Sequence, residues 1–131
     1  MANNDIDFKL VKAAGTKTTY TPEQVREMAR CTLDPLYFME RYMWIQHPVK
    51  GKIPFVAYEY QKRLIDAYWK NISVVALLPR QTGKTTTAAG YLLWYAMFNP
   101  NVTILIAANK FRAATEIMDR VKFAYEELPD W

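Results

Sequence analysis

Ser73-Val74-Val75-Ala76-Leu77-Leu78-Pro79-Arg80-Gln81-Thr82-Gly83-Lys84-Thr85-Thr86 runs from an unbroken apolar stretch into small polar residues. Ser73–Leu78 is short, continuous and rich in β-formers, which predicts a strand buried on both faces. Thr85–Phe98 follows, apolar almost all round, and predicts a buried helix. Asn99-Pro100-Asn101 then turns the chain into a second apolar run, Val102–Ala108. Strand, helix and strand, with both strands apolar throughout, predict a parallel pair joined by a crossover helix and hence an α/β fold.

Working outward, Asn109 is placed to cap a last helix over about residues 110–128. Its apolar positions Phe111, Ala114, Ile117, Met118, Val121, Tyr125 and Leu128 keep helical spacing. On the other side, Glu59–Trp69 predicts a helix with Tyr60, Leu64, Ile65 and Tyr68 on its apolar face. Residues 46–56 read as a loop broken by Pro48, Gly51 and Pro54. That loop is the expected seam between a polar arm and helical segment (1–53) and the core segment (54–131). Within the first segment, Thr21-Pro22-Glu23-Gln24 has the residues of a capping box. Asp34-Pro35 opens a second helix through about Ile45, with Leu36, Met39, Tyr42 and Met43 on one face. Residues 1–20 are polar apart from a short alternation at Ile6, Phe8 and Leu10.

The 131 residues are about the size of one domain, and with 51% apolar residues the composition is that of a globular chain. A net charge of +4 is compatible with a polyanionic partner, but the cations are not gathered into a block. Cys31 is the single cysteine, so no disulfide forms within the chain, and a reducing compartment is expected. His47 has no second histidine or nearby cysteine to make a zinc site and is expected to be an ordinary packing or surface residue. No secretory signal is read at the N-terminus. The longest apolar stretch, Tyr91–Phe98, is far below the roughly 20 residues of a membrane span, so a cytoplasmic protein is expected.

Gly83-Lys84-Thr85 fits the end of the Walker A pattern, in the strand–loop–helix context that pattern requires. A helix N-terminus offers unpaired N–H groups and the positive end of its dipole, which together bind phosphate. Gly83 permits close backbone approach because it has no β-carbon. Lys84 is suited to the β- and γ-phosphates of ATP, and the Thr85 hydroxyl to the shell of a bound Mg²⁺. The first glycine of the pattern would fall at Leu78, and Pro79 has no N–H. The phosphate donors are therefore expected from about Arg80 through Gln81, Thr82, Gly83, Lys84 and Thr85 to Thr86.

The departure itself, Arg80-Gln81-Thr82-Gly83-Lys84-Thr85-Thr86 without the leading glycine, resembles the large terminase subunit of tailed phages. The likeness extends over roughly residues 35–131 and takes in Tyr60-Gln61, Thr103–Ala108, Asp119-Arg120 and Glu127-Leu128-Pro129-Asp130. The resemblance implies a phosphate-loop ATPase that drives double-stranded DNA into a procapsid. Its implied partners are the portal and the small terminase subunit, its assembly a homo-oligomeric ring, and its location the host cytoplasm. It further implies that Arg80 is a cis arginine finger or γ-phosphate sensor, a role suited to an always-charged guanidinium. By the same resemblance Gln61 reads adenine. An amide can pair with N6 and N7 of that base, and the alternative is an amide satisfied by nearby backbone. Phe55 or Tyr58 could stack on the base. Lys110, Arg112, Arg120 and Lys122 could touch DNA, although Glu116 and Asp119 between them favour a solvated face.

Two other classes stand beside this reading. A superfamily-two helicase or translocase also pairs an upstream glutamine with Gly-Lys-Thr, but usually keeps the first glycine. A non-hydrolysing accessory module would hold the nucleotide only as a structural ligand. No acidic residue ends Val102–Ala108, so the Walker B element is expected beyond Trp131, the sheet is expected to be incomplete, and this segment alone is expected to be inactive.

Overall fold

A computed structural model describes Lys17 and residues 19–131. The order of elements is α1 (Pro22–Leu33), α2 (Pro35–Tyr42), β1 (Trp44–His47), β2 (Gly51–Pro54), α3 (Glu59–Lys70), α4 (Lys84–Phe98) and α5 (Phe111–Glu126). They make a small α/β protein whose sheet, among the described residues, is the antiparallel pair β1–β2. The alternation at Ile6, Phe8 and Leu10 lies outside the described residues.

The first two helices start where their caps predict. Thr21 Oγ1 accepts from the Gln24 N–H at 3.2 Å, and Gln24 Oε1 accepts from the Thr21 N–H at 2.9 Å. Asp34 Oδ1 accepts from the Tyr37 N–H at 2.9 Å, with Pro35 in the first turn. The second helix ends at Tyr42 rather than near Ile45, and the expected loop over 46–56 contains a hairpin. Trp44 pairs with Pro54 and Ile45 with Ile53. Trp44 and Ile45 are an aromatic and a β-branched residue, which suit a pleated surface better than a last helical turn. The turn between the strands is held by His47, whose Nδ1 accepts from the N–H groups of Val49 and Lys50, and Gly51 takes a φ of +69°. Lys52 pairs with Glu127 and lies 4.6 Å above the Trp44 ring, which fastens the hairpin to the end of α5.

The core forms between α2 and α4, with α1, α3 and α5 packed around them. Met39, Met43, Phe38, Phe55, Ile65, Leu93, Trp94 and Ala124 are buried in one cluster, which draws on residues from both sides of position 53. Trp94 contributes the largest fully buried side chain, and its Nε1 donates to the Cys31 carbonyl at 2.7 Å. Gly90 allows the close approach, since a β-carbon there would stand 2.5 Å from Met43 Sδ and 2.6 Å from Met39 Cε.

The expected parallel pair is not formed. Neither Ser73–Leu78 nor Val102–Ala108 belongs to a β-ladder among the described residues. Burial alternates along Val102–Ala107, where Val102, Ile104 and Ile106 are half-buried and Leu105 is 91% exposed; in Ser73–Leu78 only Val74 and Leu78 are half-buried, and Val75, Ala76 and Leu77 between them are exposed. One side of the second run thus lies against the protein and the other faces water, the pattern of a half-covered strand, whereas the middle of the first run is bare on both sides. A strand buried on both faces needs hydrogen-bonded neighbours and a second covering layer, and the described residues supply neither. The expectation of an incomplete sheet agrees with this arrangement. The last helix also differs in its start. Its N-cap is Lys110, not Asn109, with no side-chain cap bond, and Phe111, Met118 and Tyr125 on it are exposed.

Candidate phosphate-binding loop

Pro79–Gly83 connects the first apolar run to α4, and its backbone is bent in two places. Gln81 has a φ of +59°, and Gly83, the N-cap of α4, has φ +73° and ψ +18°. A left-handed residue directly before a helix turns successive N–H groups toward one side, which makes an anion-binding concavity. No backbone N–H of residues 80–86 donates a hydrogen bond among the described residues. These donors sit at the positive end of a 15-residue helix.

Side chains brace the loop from three directions. Thr82 Oγ1 donates to the Pro79 carbonyl at 3.0 Å, and Thr87 Oγ1 to the Gly83 carbonyl at 2.9 Å. Tyr60 on α3 donates its hydroxyl to the Thr82 carbonyl at 2.5 Å. Lys84 folds back across the loop, its Nζ 2.6 Å from the Pro79 carbonyl and 3.1 Å from that of Leu78. Its ammonium thereby stands at the entry to the loop, on the two carbonyls that precede the free N–H groups. Arg80 is exposed, with no partner among the described residues, and neither has the Thr85 hydroxyl. The Thr86 hydroxyl accepts from Arg120 Nη1 on α5 at 3.0 Å.

Gln61 reaches the loop from α3. It is 4% exposed; its Oε1 accepts from the Tyr58 N–H at 2.9 Å, and its Nε2 stands 2.6 Å from where a β-carbon on Gly83 would lie. The backbone alternative for this amide is therefore realised at its oxygen, which keeps a second lone pair, while the NH₂ group abuts Gly83. Glycine at 83 answers both the positive φ and this contact. Phe55 is buried in the core and cannot stack on a base, which corrects that expectation. Tyr58 is exposed and lies parallel to the Tyr60 ring, 5.8 Å between centroids.

The four cations weighed as DNA contacts, and read rather as a solvated face, diverge. Arg112 pairs with Glu116 at 3.7 Å, one turn along α5, Arg120 turns to Thr86, and Lys110 and Lys122 are solvated. Tyr60 and Arg120 are the loop contacts that the sequence reading did not assign. Tyr60 adjoins Gln61, whereas Arg120, read as a possible DNA contact, is 34 positions from Thr86, and nothing in the sequence tied the two together.

Groups with displaced pKa values lie away from the loop. Glu27 accepts from the hydroxyls of Tyr37 at 2.5 Å and Tyr42 at 3.0 Å, and these bonds hold its carboxyl below the ordinary 4.5. Burial first, and then the same bond, pushes Tyr42 up to about 12, and burial pushes the Cys31 thiol to about 11. These are internal ties of the helical core. Compared with models of known protein families, the chain matches none.

Proposed function

We propose that this chain is the nucleotide-binding part of a DNA-packaging ATPase of the large terminase kind, in which ATP hydrolysis moves double-stranded DNA into a procapsid. The observation that carries the reading is the run of free N–H groups over residues 80–86 at the head of α4, with Lys84 folded onto the same loop. The terminase part of the reading rests on the resemblance of the Arg80–Thr86 loop and its flanks. The ring assembly, the portal and small-subunit partners and the host cytoplasm belong to the same proposal. No helix among the described residues is long and apolar enough to cross a membrane, which is compatible with it.

The residues fit ATP as follows. Free N–H groups and the α4 dipole take phosphate oxygens, and Gly83 keeps the backbone within reach of them. Lys84 exchanges its two carbonyl contacts for β- and γ-phosphate oxygens, gaining a charge-assisted pair. Arg80, exposed and uncommitted at the loop tip, is free to meet charge that develops on the γ-phosphate. Adenine is assigned to Gln61 by the resemblance, and the Tyr58–Tyr60 stack stands near it in the chain. The Thr85 hydroxyl would hold a magnesium ion, which would neutralise phosphate charge.

The test is ATP binding and DNA-stimulated turnover on the whole natural reading frame. Lys84→Ala should abolish binding or turnover in a protein that stays folded, and unchanged turnover would end the phosphate-loop reading. Arg80→Ala should lower the hydrolysis rate with ATP affinity nearly intact if Arg80 acts on the transition state. A joint fall would make it a ground-state phosphate contact. ATP binding with no turnover, with or without DNA, would assign the non-hydrolysing accessory module instead.

A further inference from the structure

Arg120 occupies a place for which neither the phosphate loop nor a solvated helix face accounts. It projects from α5 across to the first turn of α4, where its Nη1 donates to Thr86 Oγ1 at 3.0 Å. Glu116 and Asp119 line the same groove of about 480 Å³ between the β1–β2 hairpin, α4 and α5, yet neither forms an ion pair with it. Glu116 is taken by Arg112 instead. The guanidinium therefore keeps its charge unpaired among the described residues while its geometry is spent on one threonine hydroxyl. That threonine is two residues past Lys84, and its own N–H is one of the free donors.

We propose that Arg120 is a positioning residue for nucleotide: it fixes the Thr86 hydroxyl as a phosphate donor and links α5 to the occupied or unoccupied state of the loop. The proposal rests on the ATP-binding reading of the loop. Its chemistry follows from the bond's direction. A hydroxyl that accepts from a guanidinium turns a lone pair toward that donor and its single O–H away from it, and phosphate oxygens held by the neighbouring N–H groups are an acceptor of the right class for that O–H. The donor charge also makes that O–H a better donor, because successive hydrogen bonds polarise one another. When phosphate draws on Thr86, the pull reaches Arg120, and through it α5, whose far end is fastened to the hairpin by Lys52–Glu127. Among the described residues this is the side-chain hydrogen bond that joins α5 to the head of α4, in addition to the packing of the two helices.

The experiment is a double-substitution cycle on the full chain, with ATP affinity measured by calorimetry and unfolding measured without nucleotide. Arg120→Ala and Thr86→Val should each weaken ATP by about five- to tenfold, the size of one charge-assisted hydrogen bond. Together they should cost little more than either alone, because they remove one unit. Arg120→Lys should restore part of the affinity, and the nucleotide-free melting temperatures should stay together. Losses that multiply in the double variant, or affinities equal to that of the unsubstituted chain, would overturn the proposal. So would a coupling seen in melting temperature and not in ATP affinity, which is what a merely structural bond would give. Lys84→Ala, run in parallel, separates the two levels. If it abolishes binding while Arg120→Ala does nothing, only the Arg120 role fails. If it leaves ATP affinity unchanged, or if the unsubstituted chain does not bind ATP, the loop reading fails and takes the Arg120 role with it.

Discussion

The α2–α4 contact and the two apolar runs that flank α4 are built from similar residues and end in opposite environments. Between the helices, Met39, Met43, Leu93 and Trp94 are buried, and Gly90 lets the backbones close. In Ser73–Leu78 and Val102–Ala108, residues no less apolar stand with Val75, Leu77 and Leu105 in water. A helix satisfies its own backbone, so it needs only side-chain partners, and α1, α2, α3 and α5 supply them. A strand must find hydrogen-bond partners outside itself, and a double-sided strand must find two layers as well. Local bonding lets the helical half close, while the two apolar runs pair with no strand among the described residues.

The comparison is broken most directly by removing the centre of the closed half. Trp94→Ala deletes the largest buried side chain and the bond to the Cys31 carbonyl. It should cost about 3–5 kcal/mol of unfolding free energy, measured by denaturant titration. A loss below about 1 kcal/mol would mean that the helical half is not a packed core.

Next in size is the joint between the halves. Gly83→Ala places a β-carbon 2.6 Å from Gln61 Nε2 at a φ of +73°. It should destabilise by about 1–3 kcal/mol, the order of a forced left-handed conformation. A phosphate-loop role adds weaker ATP binding to that loss. A stable variant with full ATP affinity would show that the loop does not need its glycine.

The pH dependence sharpens the picture of the closed half. The folded carboxyl of Glu27 titrates below 4.5, so its contribution is present above that value and is lost as the pH falls through the lowered one. Tyr42 has the opposite sign. Its folded pKa is raised from 10.0 to about 12, so its contribution is present below 10 and is lost as the pH rises toward 12. Melting temperature should therefore drop at both ends, and Glu27→Gln should flatten the acid limb. An acid limb unchanged by that substitution would remove the Glu27 cluster from the account.

The smallest effect on stability should come from the open half. Leu77→Asp replaces a side chain that is 98% exposed and should change unfolding free energy by no more than about 0.5 kcal/mol. Solubility should rise, since a charge interrupts an apolar strand edge. A large loss of stability would show that Leu77 is covered in solution.

Much of the helical framework was legible locally. Thr21, Pro22 and Gln24, and Asp34 with Pro35, start two helices by bonds between residues three apart, which any reading of the chain can find. The loop was legible too, because Gly83, Lys84 and Thr85 are adjacent. The hairpin was hidden by Pro48, Gly51 and Pro54, which look like loop residues until Ile45 and Ile53 are seen to pair. Phe55 looked available to a base because hydropathy cannot distinguish a core aromatic from a binding one.

The sequence by itself determined where α1, α2, α3 and α4 begin, the absence of a β-carbon at Gly83, and the apolar character of both flanking runs. Those properties depend on neighbours along the chain. Tertiary structure alone decided that Gln61 closes on Gly83, that Tyr60 holds Thr82, that Arg120 reaches Thr86, and that both apolar runs stay partly bare. Each of these depends on distance between segments far apart in the chain, and hydrophobic patterning, being non-directional, states that a side chain seeks cover without stating what covers it.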